Sequence, residues 1–484
     1  MENKKVLGNM LWRFLERCGA QVVTFVVSII LARLLDPAVY GTIALVTVFT
    51  TILQVFVDSG LGTALVQKKD SDKVDFSTVF YFNFVLCLAL YAILFFSAPL
   101  ISHFYEMPEL TPIVRVLGLT LVISGVKNIQ QSYVSKHMLF KKFFISSIGS
   151  TIASAIVGIA MAFAGYGVWA LVAQSLVSNL VTAIILWFTV RWRPSLEFSF
   201  ERLKSLFSFG WKILVSGLIN TIYNDIRTLI IGKKYSSDDL AFYNKGNQFP
   251  NLIVSNVNTS IDSVLLPVMA KEQDNRQRVM EMTRRAIKTS TYVIMPMMMG
   301  LAVCAEPVIR ILLTEKWLPC VLYMRVFCFS YAFYPIHTAN LNAIKAMGRS
   351  DLFLTLEVIK KIVGVAAIAI SMWFGVEWMA YSLLITTVLS QIINSFPNKK
   401  LLNYSYIHQV KDMLPQVLLS CVMGAAVYAI NFIGLSDIVT LLIQVPLGVI
   451  IYVAGSYIFK LESFIYLLNM IKGFLKRRKG EKEA

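Results

Sequence analysis

Apolar runs of about 20 residues, the length a helix needs to cross the hydrocarbon of a bilayer, recur along this chain from end to end. At that scale about fourteen are present: 11–33, 41–66, 78–100, 113–135, 143–164, 168–190, 210–232, 243–269, 287–313, 319–346, 352–374, 378–396, 413–434 and 438–459. Lipid offers no partner to a backbone N–H or C=O, so segments of this kind must be helices. The expected fold is therefore an all-α polytopic membrane bundle. Composition agrees, with 57% hydrophobic and only 15% charged residues, where a soluble domain carries roughly 25% charged. Cys18, Cys87, Cys304, Cys320, Cys328 and Cys421 lie in or beside apolar runs and read as small packing residues, with no disulfide framework and no metal site implied. The first run carries charges at its start and lacks a small-residue cleavage site, so a retained span is expected there.

The net charge of +17 does not point to nucleic acid, because the cations sit in short connections between spans. The connections alternate. One set is rich: Lys68, Lys69 and Lys73, then Lys136, Lys141 and Lys142, then Arg191, Arg193, Arg202 and Lys204, with further groups at 271–285 and 399–411. The other set, around 103–112, 165–167, 375–377 and 434–437, is nearly bare, with Lys233, Lys234 and Lys316 as exceptions. The positive-inside rule makes the rich side cytoplasmic, which puts both termini inside. The tail Lys476-Arg477-Arg478-Lys479 agrees, as an orientation signal or a headgroup contact. The longest loops, 191–209 and 270–286, are too short for a folded soluble domain.

The chain is also duplicated. Val57-Asp58-Ser59-Gly60-Leu61, leading to Gln67-Lys68-Lys69-Asp70, matches Ile261-Asp262-Ser263-Val264-Leu265, leading to Lys271-Glu272-Gln273-Asp274. Ile113-Val114-Arg115-Val116 matches Tyr323-Met324-Arg325-Val326, and Gly167-Val168-Trp169 matches Val376-Glu377-Trp378, at an offset of about 204 to 210 residues. Six spans per repeat give the halves the same orientation. The expected organisation is an N-terminal lobe over 1–209, a C-terminal lobe over 210–396, and two further helices with a basic tail over 397–484.

The first two spans of each repeat carry polar faces at helical spacing. They are Arg13, Arg17, Gln21, Thr24 and Ser28, with Glu16 placed to pair with Arg13; Thr47, Thr51, Gln54 and Asp58; Ser216, Asn220, Asn224 and Arg227, with Asp225 nearby; and Asn244, Gln248, Asn251, Ser255, Asn258 and Asp262. Serine, threonine and asparagine also act as interhelical glue, worth under about 2 kcal/mol each. Four equivalent faces point instead to a hydrated chamber between the halves. Ionisable groups at depth are the sharper signal, and arginine's forked donors suit phosphate or carboxylate. The candidate substrate-binding residues are Arg17, Arg227, Arg13, Gln21, Asn220, Asn224, Gln248, Asn251 and Asn258. Glu16, Asp58, Asp225 and Asp262 are the candidates for ion coupling or gating. Arg115 and Arg325, near the outer ends, read as snorkelling residues. His103, His137, His337 and His408 form no motif, and no catalytic residue, metal or cofactor is expected.

Four stretches carry a family likeness. Leu31-Ala32-Arg33-Leu34-Leu35-Asp36-Pro37-Ala38-Val39-Tyr40-Gly41, followed by Ala44-Leu45, resembles the turn after the first span of Wzx-type polysaccharide flippases. Asp58-Ser59-Gly60-Leu61-Gly62-Thr63-Ala64-Leu65-Val66-Gln67, Gly165-Tyr166-Gly167-Val168-Trp169-Ala170-Leu171-Val172 and Met347-Gly348-Arg349-Ser350-Asp351-Leu352 resemble the same family, in its colanic- and teichuronic-acid branch. That family lies within the multidrug/oligosaccharidyl-lipid/polysaccharide exporter superfamily. The resemblance covers about residues 5–400 and is more specific in the first half.

The resemblance implies two six-helix lobes in a V with two extra helices. It also implies export of undecaprenyl-pyrophosphate-linked oligosaccharide across the bacterial inner membrane by alternating access. The cationic cavity of related flippases would correspond to the positions of Arg17 and Arg227. A proton or sodium gradient is the expected driving force, and membrane lipids and the polysaccharide polymerase machinery are the expected partners. Two rival readings remain at this point. A cation-coupled multidrug exporter shares the bundle but favours an acidic, aromatic cavity. A membrane glycosyl polymerase or transferase needs large loops or a catalytic carboxylate or histidine cluster.

Overall fold

The computed structural model describes residues 19–58 and 60–483, and every regular element among them is helical. In chain order these are α1 (Gly19–Leu34), α2 (Pro37–Asp58), α3 (Leu61–Gln67), α4 (Lys73–Tyr105), α5 (Leu110–Lys136), α6 (Phe140–Phe163), α7 (Val168–Thr189), α8 (Phe200–Lys234), α9 (Ser237–Lys271) and α10 (Arg276–Val303). Then follow α11 (Ala305–Leu313), α12 (Cys320–Ala332), α13 (Tyr334–Ala346), α14 (Ser350–Ser371), α15 (Val376–Leu402), α16 (Tyr406–Ala429), α17 (Asp437–Ile458) and α18 (Glu462–Glu483).

Ten of these helices, taking α2 and α3 as one, are long and apolar enough to cross a membrane. An eleventh is added when α8, bent by 50° between Ser208 and Gly210, is taken as one span. The chain is thus an all-α, multi-pass membrane protein. The expected fourteen spans are not all visible by this measure, for local reasons. Glu357, Lys360 and Lys361 lower the apolarity of α14, and a break at Phe333 divides residues 320–346 into α12 and α13, with Pro335 in the first turn of α13. α1 is described only from Gly19 onward. Large apolar side chains stand exposed on the long helices, as at Phe96 and Phe188, each at least 70% exposed, as a lipid surround would require.

Tertiary contacts divide the chain between Ala241 and Phe242. The lobe boundary expected at 209/210 differs from this division by one helix, because α8 packs on α2, α3 and α4. In the first unit Leu61, Leu65, Phe76, Phe80, Ile129 and Trp192 form one apolar cluster, and Val27, Leu31, Ala155, Ala162 and Ala170 another. Small residues let helices approach closely in the second cluster, as expected where helix association depends on packing rather than on escape from water. In the second unit one cluster gathers Met269, Val279, Ile287, Ile336 and Ala343, and another Tyr292, Leu419, Met423, Val427 and Tyr452.

The Asp-Ser repeat has different consequences in its two copies. α2 stops at Asp58, and Gly60 takes a φ of +68° that lets α3 start in a new direction. A Cβ at Gly60 would lie 2.6 Å from the Gly210 carbonyl oxygen, at the bend of α8. The matching position is Val264, and α9 runs through it unbroken. A second close approach occurs at Gly41, where a Cβ would come 1.8 Å from the carbonyl oxygen of Ser237. Any side chain there would force α2 away from the start of α9.

Prolines inside the helices leave carbonyls without their usual donor four residues on. Pro99 frees the carbonyl of Phe95, and Arg115 Nε donates to it at 3.3 Å, its guanidinium 4.3 Å from the Phe95 ring centroid. Pro296 frees the carbonyl of Tyr292, which accepts from Tyr452 Oη at 2.9 Å, while Tyr292 Oη returns a bond to Ser456 Oγ at 3.1 Å. At the break between α10 and α11 the Ala302 carbonyl accepts from Arg325 Nε at 3.2 Å. Arg115 and Arg325, matched by the duplication, thus do the same work in each repeat.

At the charge-rich end of the first unit, Asp72 caps α4 in a reciprocal box with Asp75. The Asp75 side chain is fully buried and pairs with Lys68 Nζ at 2.7 Å and Arg202 Nη1 at 3.4 Å. Arg202 also binds Asp72 at 2.5 Å, and that hydrogen bond holds the Asp72 carboxyl below its usual range. Lys233, an exception on the charge-poor side, pairs with Glu106 at 2.8 Å.

Candidate functional site

Three of the four expected polar faces can be followed through the described residues. Arg13, Glu16 and Arg17 lie outside them, and of that first face Gln21 and Ser28 are half-buried and Thr24 is exposed. On α2, Thr47, Thr51 and Asp58 are exposed. Asp58 accepts from Gln54 Nε2 at 3.1 Å, one turn back, and from Asn128 Nδ2 of α5 at 2.8 Å. Lys127, the neighbour of Asn128, stands within Coulombic reach of Asp58 and donates from Nζ to Asn179 Oδ1 of α7. One acid, one base and three amides are therefore held together inside the first unit.

The second unit repeats the motif in part. Asp262 of α9 accepts from Asn342 Nδ2 of α13 at 2.9 Å. Asn258, one turn earlier, accepts from Thr338 Oγ1 at 2.5 Å, and Asn247 accepts from Tyr331 Oη at 2.7 Å. In both repeats the matched aspartate is gripped by an asparagine from the fourth span of the same repeat. Asn251 and Ser255 remain exposed along the same helix, and Gln248 is half-buried. Lys245, which sequence reasoning missed, is buried on α9 with its Nζ 5.5 Å from the Trp317 ring centroid.

α8 carries the most unusual group. Ser216, Asn220 and Asn224 are exposed and Asp225 is half-buried, but Arg227 is only 8% exposed. Its Nε and Nη2 have no hydrogen-bond partner among the described residues. Asp225 makes no ion pair with it, as expected of residues two apart on a helix, which do not face each other. A buried guanidinium with open donors is costly unless an acceptor completes it. This arrangement, a rigid cation with spare N–H groups on a helix lined by amides, is suited to anionic and hydroxyl-rich ligands.

Sequence reasoning also missed Lys127, Asn128, Asn179 and Asn342. The signal for Lys127 was present, as an ionisable residue inside the run 113–135. The amides gave none, because asparagine within a span is as common in glue as in a site. His337, part of no sequence motif, lies with Nδ1 3.1 Å from Asn394 Nδ2 and its ring edge-on to Tyr334. Among the described residues no three His, Cys, Asp or Glu side chains group as a metal site.

Similar proteins place this geometry in context. The chain is 27% identical over 314 residues to the succinoglycan biosynthesis transport protein ExoT of Rhizobium meliloti, covering 65% of this chain and 64% of that protein. It is 27% identical to the teichuronic acid biosynthesis protein TuaB of Bacillus subtilis, over 63% of each chain. The matches therefore span a little under two thirds of these relatives' own lengths. A longer match, 82% of both chains at 21% identity, is to the lipopolysaccharide biosynthesis protein WzxC of Escherichia coli.

Among solved structures, the lipid II flippase MurJ in an inward closed conformation superposes with a TM-score of 0.76 at 15% identity, over 93% of this chain and 98% of that one. An inward-facing multidrug transporter of the MATE family gives 0.60 at 15% identity, over 79% and 94%. At such identities the likeness speaks for the fold alone. A sequence model of the family described as "Polysaccharide biosynthesis protein" matches residues 30–322, more than half of the chain. By that match, the chain belongs to this polysaccharide biosynthesis protein family.

Proposed function

We propose that this protein is a flippase that moves polyprenyl-pyrophosphate-linked oligosaccharide repeat units across the bacterial inner membrane for cell-surface or exported polysaccharide. The observation that carries the reading is Arg227, buried with two unfilled donors on a helix faced with amides. Family membership and the transport and polysaccharide names of the relatives supply the substrate class. A pyrophosphate-sugar headgroup cannot cross about 30 Å of hydrocarbon unaided. Arg227, with Arg13 and Arg17, takes the phosphates. Gln21, Asn220, Asn224, Gln248, Asn251 and Asn258 take the sugar hydroxyls. The polyprenyl chain stays in lipid.

Alternating access moves the headgroup, and a proton or sodium gradient drives it. Asp58 and Asp262, with Glu16 and Asp225, serve as carriers or gates. In this reading the functional lobes are the sequence repeats 1–209 and 210–396, residues 397–484 are accessory, and both termini are cytoplasmic. The polysaccharide polymerase receives the product. An exporter of cationic drugs on the same fold would have little use for an unpaired buried guanidinium.

The direct test is flipping of a labelled polyprenyl-pyrophosphate oligosaccharide in vesicles. We expect R227Q to lower the initial rate at least tenfold and R227K to retain an intermediate rate, because lysine keeps the charge but loses the fork. Undiminished transport in R227Q would remove Arg227 from the site.

A further inference from the structure

The last helix is not an inert tail. Three residues separate α17 from α18, and Leu461 among them is buried. Phe464 and Leu467, three apart on one face of α18, pack against the cluster containing Tyr292 and Tyr452. The start of α18 is thereby fixed across α10 at the charge-rich end of the second unit. A cavity of about 230 Å³ lies between the two helices.

The lining of that cavity is specific. Arg285 and Lys288 come from α10, one turn apart, with Thr289 beside them. Ser463, Tyr466 and Asn469 come from α18. Lys288 is already engaged by Glu462 and, at 3.6 Å, by Asp412. Arg284 is taken by Asp412 in a two-pronged contact at 2.8 and 2.9 Å. Arg285 is different: it is exposed, lies 5.1 Å from the Tyr466 ring centroid, and has no carboxylate partner among the described residues. The three cations here outnumber the two carboxylates by one, and the surplus, Arg285, lines the cavity. Next to it, Ile465, Tyr466 and Met470 are 44%, 40% and 52% exposed, and the sequence continues into Lys472 and the run 476–479.

We propose that this cavity binds the phosphate of an anionic phospholipid, with Arg285 as its cation and Thr289, Ser463 and Asn469 as its hydrogen-bonding floor. A free phosphate would use the cation and the floor but not the apolar rim. Exposed apolar residues beside a cation, on a basic helix that begins where a span ends, suit an acyl-chain glycerophosphate. The site shares no residue with those proposed to take the transported headgroup, and it needs only that the chain be a membrane protein.

Native mass spectrometry of the full-length protein, released from micelles with equal phosphatidylglycerol and phosphatidylcholine, tests it. The wild type is expected to retain phosphatidylglycerol preferentially. R285Q should reduce that preference about fivefold, the effect of the roughly 1 kcal/mol that one basic residue contributes at an anionic surface. R285K should keep most of it, and R310Q, an arginine on α11 already paired with Glu306, should match the wild type. Equal retention by R285Q and the wild type would overturn the proposal, as would an equal loss in R310Q. Displacement of the bound lipid by millimolar inorganic phosphate would reassign the cavity to a soluble anion and overturn it as well.

Discussion

Single residues show how differently a charge behaves at a helix end and inside a span. Asp72 stands in water at the entrance to α4, half exposed, and Arg202 stabilises its ionised form. Its folded-state carboxyl is therefore more acidic than in the unfolded chain, and its contribution is present above the ordinary carboxylate range. That contribution is lost as pH falls through the lowered folded value. Asparagine caps a helix as well as aspartate does, so D72N removes the charge and keeps the cap. The melting temperature of the wild type should fall more steeply than that of D72N between about pH 5 and pH 3. Parallel curves would mean that the Arg202 contact adds nothing to stability. Asp58, Asp262 and Arg227 were legible in the sequence because the insertion cost of such groups is high, although Lys127 and Lys245 were passed over. Their partners were not. Nothing near Asp58 in sequence announces Asn128, and nothing near Lys68 announces that Arg202 shares its buried Asp75.

At the scale of helices, sequence periodicity found the spans and missed where they break. Gly60 was part of the recognised repeat, and its left-handed backbone stands where α3 starts anew, whereas α9 runs unbroken through the matching Val264. The prolines are visible in the sequence, and neighbouring helices can satisfy the groups they free. The means was hidden: at Pro99 and Pro296 a side chain of another helix supplies the missing donor. Arg115 was expected to snorkel, and it instead completes the Phe95 carbonyl freed by Pro99.

This makes a coupled prediction. R115M keeps the stem and removes the donor, and should cost about 1–3 kcal/mol, the penalty for an orphaned buried acceptor. In a P99A background the new N–H at position 99 serves that carbonyl, so the same change should cost less than half as much. Thermal unfolding of the four proteins in detergent gives the cycle. An identical penalty in both backgrounds would detach Arg115 from the proline.

For the molecule as a whole, the duplication was the most legible property, and it extends to contacts no alignment of letters would give. The pairs Asp58–Asn128 and Asp262–Asn342 recur, and so do the Arg115 and Arg325 caps on the third span of each repeat. The contact division at Ala241 was not legible, because α8 begins the second repeat by sequence and packs with the first unit by contact. Orientation is a whole-chain property carried by loop charge. In a cysteine-free background, D70C in a charge-rich loop should react with an impermeant maleimide only after inner-membrane vesicles are inverted. E109C, in a bare loop, should react in intact spheroplasts. The reverse pattern would invert the topology.

The clasp at Pro296 bears on how such a chain changes shape. A proline in a long helix is commonly thought of as a hinge, but here its released carbonyl is tied to Tyr452, and Tyr292 answers with Ser456. The proline turn of α10 is riveted to α17 on both sides of one ring pair. Moving α10 against α17 at this point would break both bonds, so this corner should travel as a brace, carrying the final pair of spans with it.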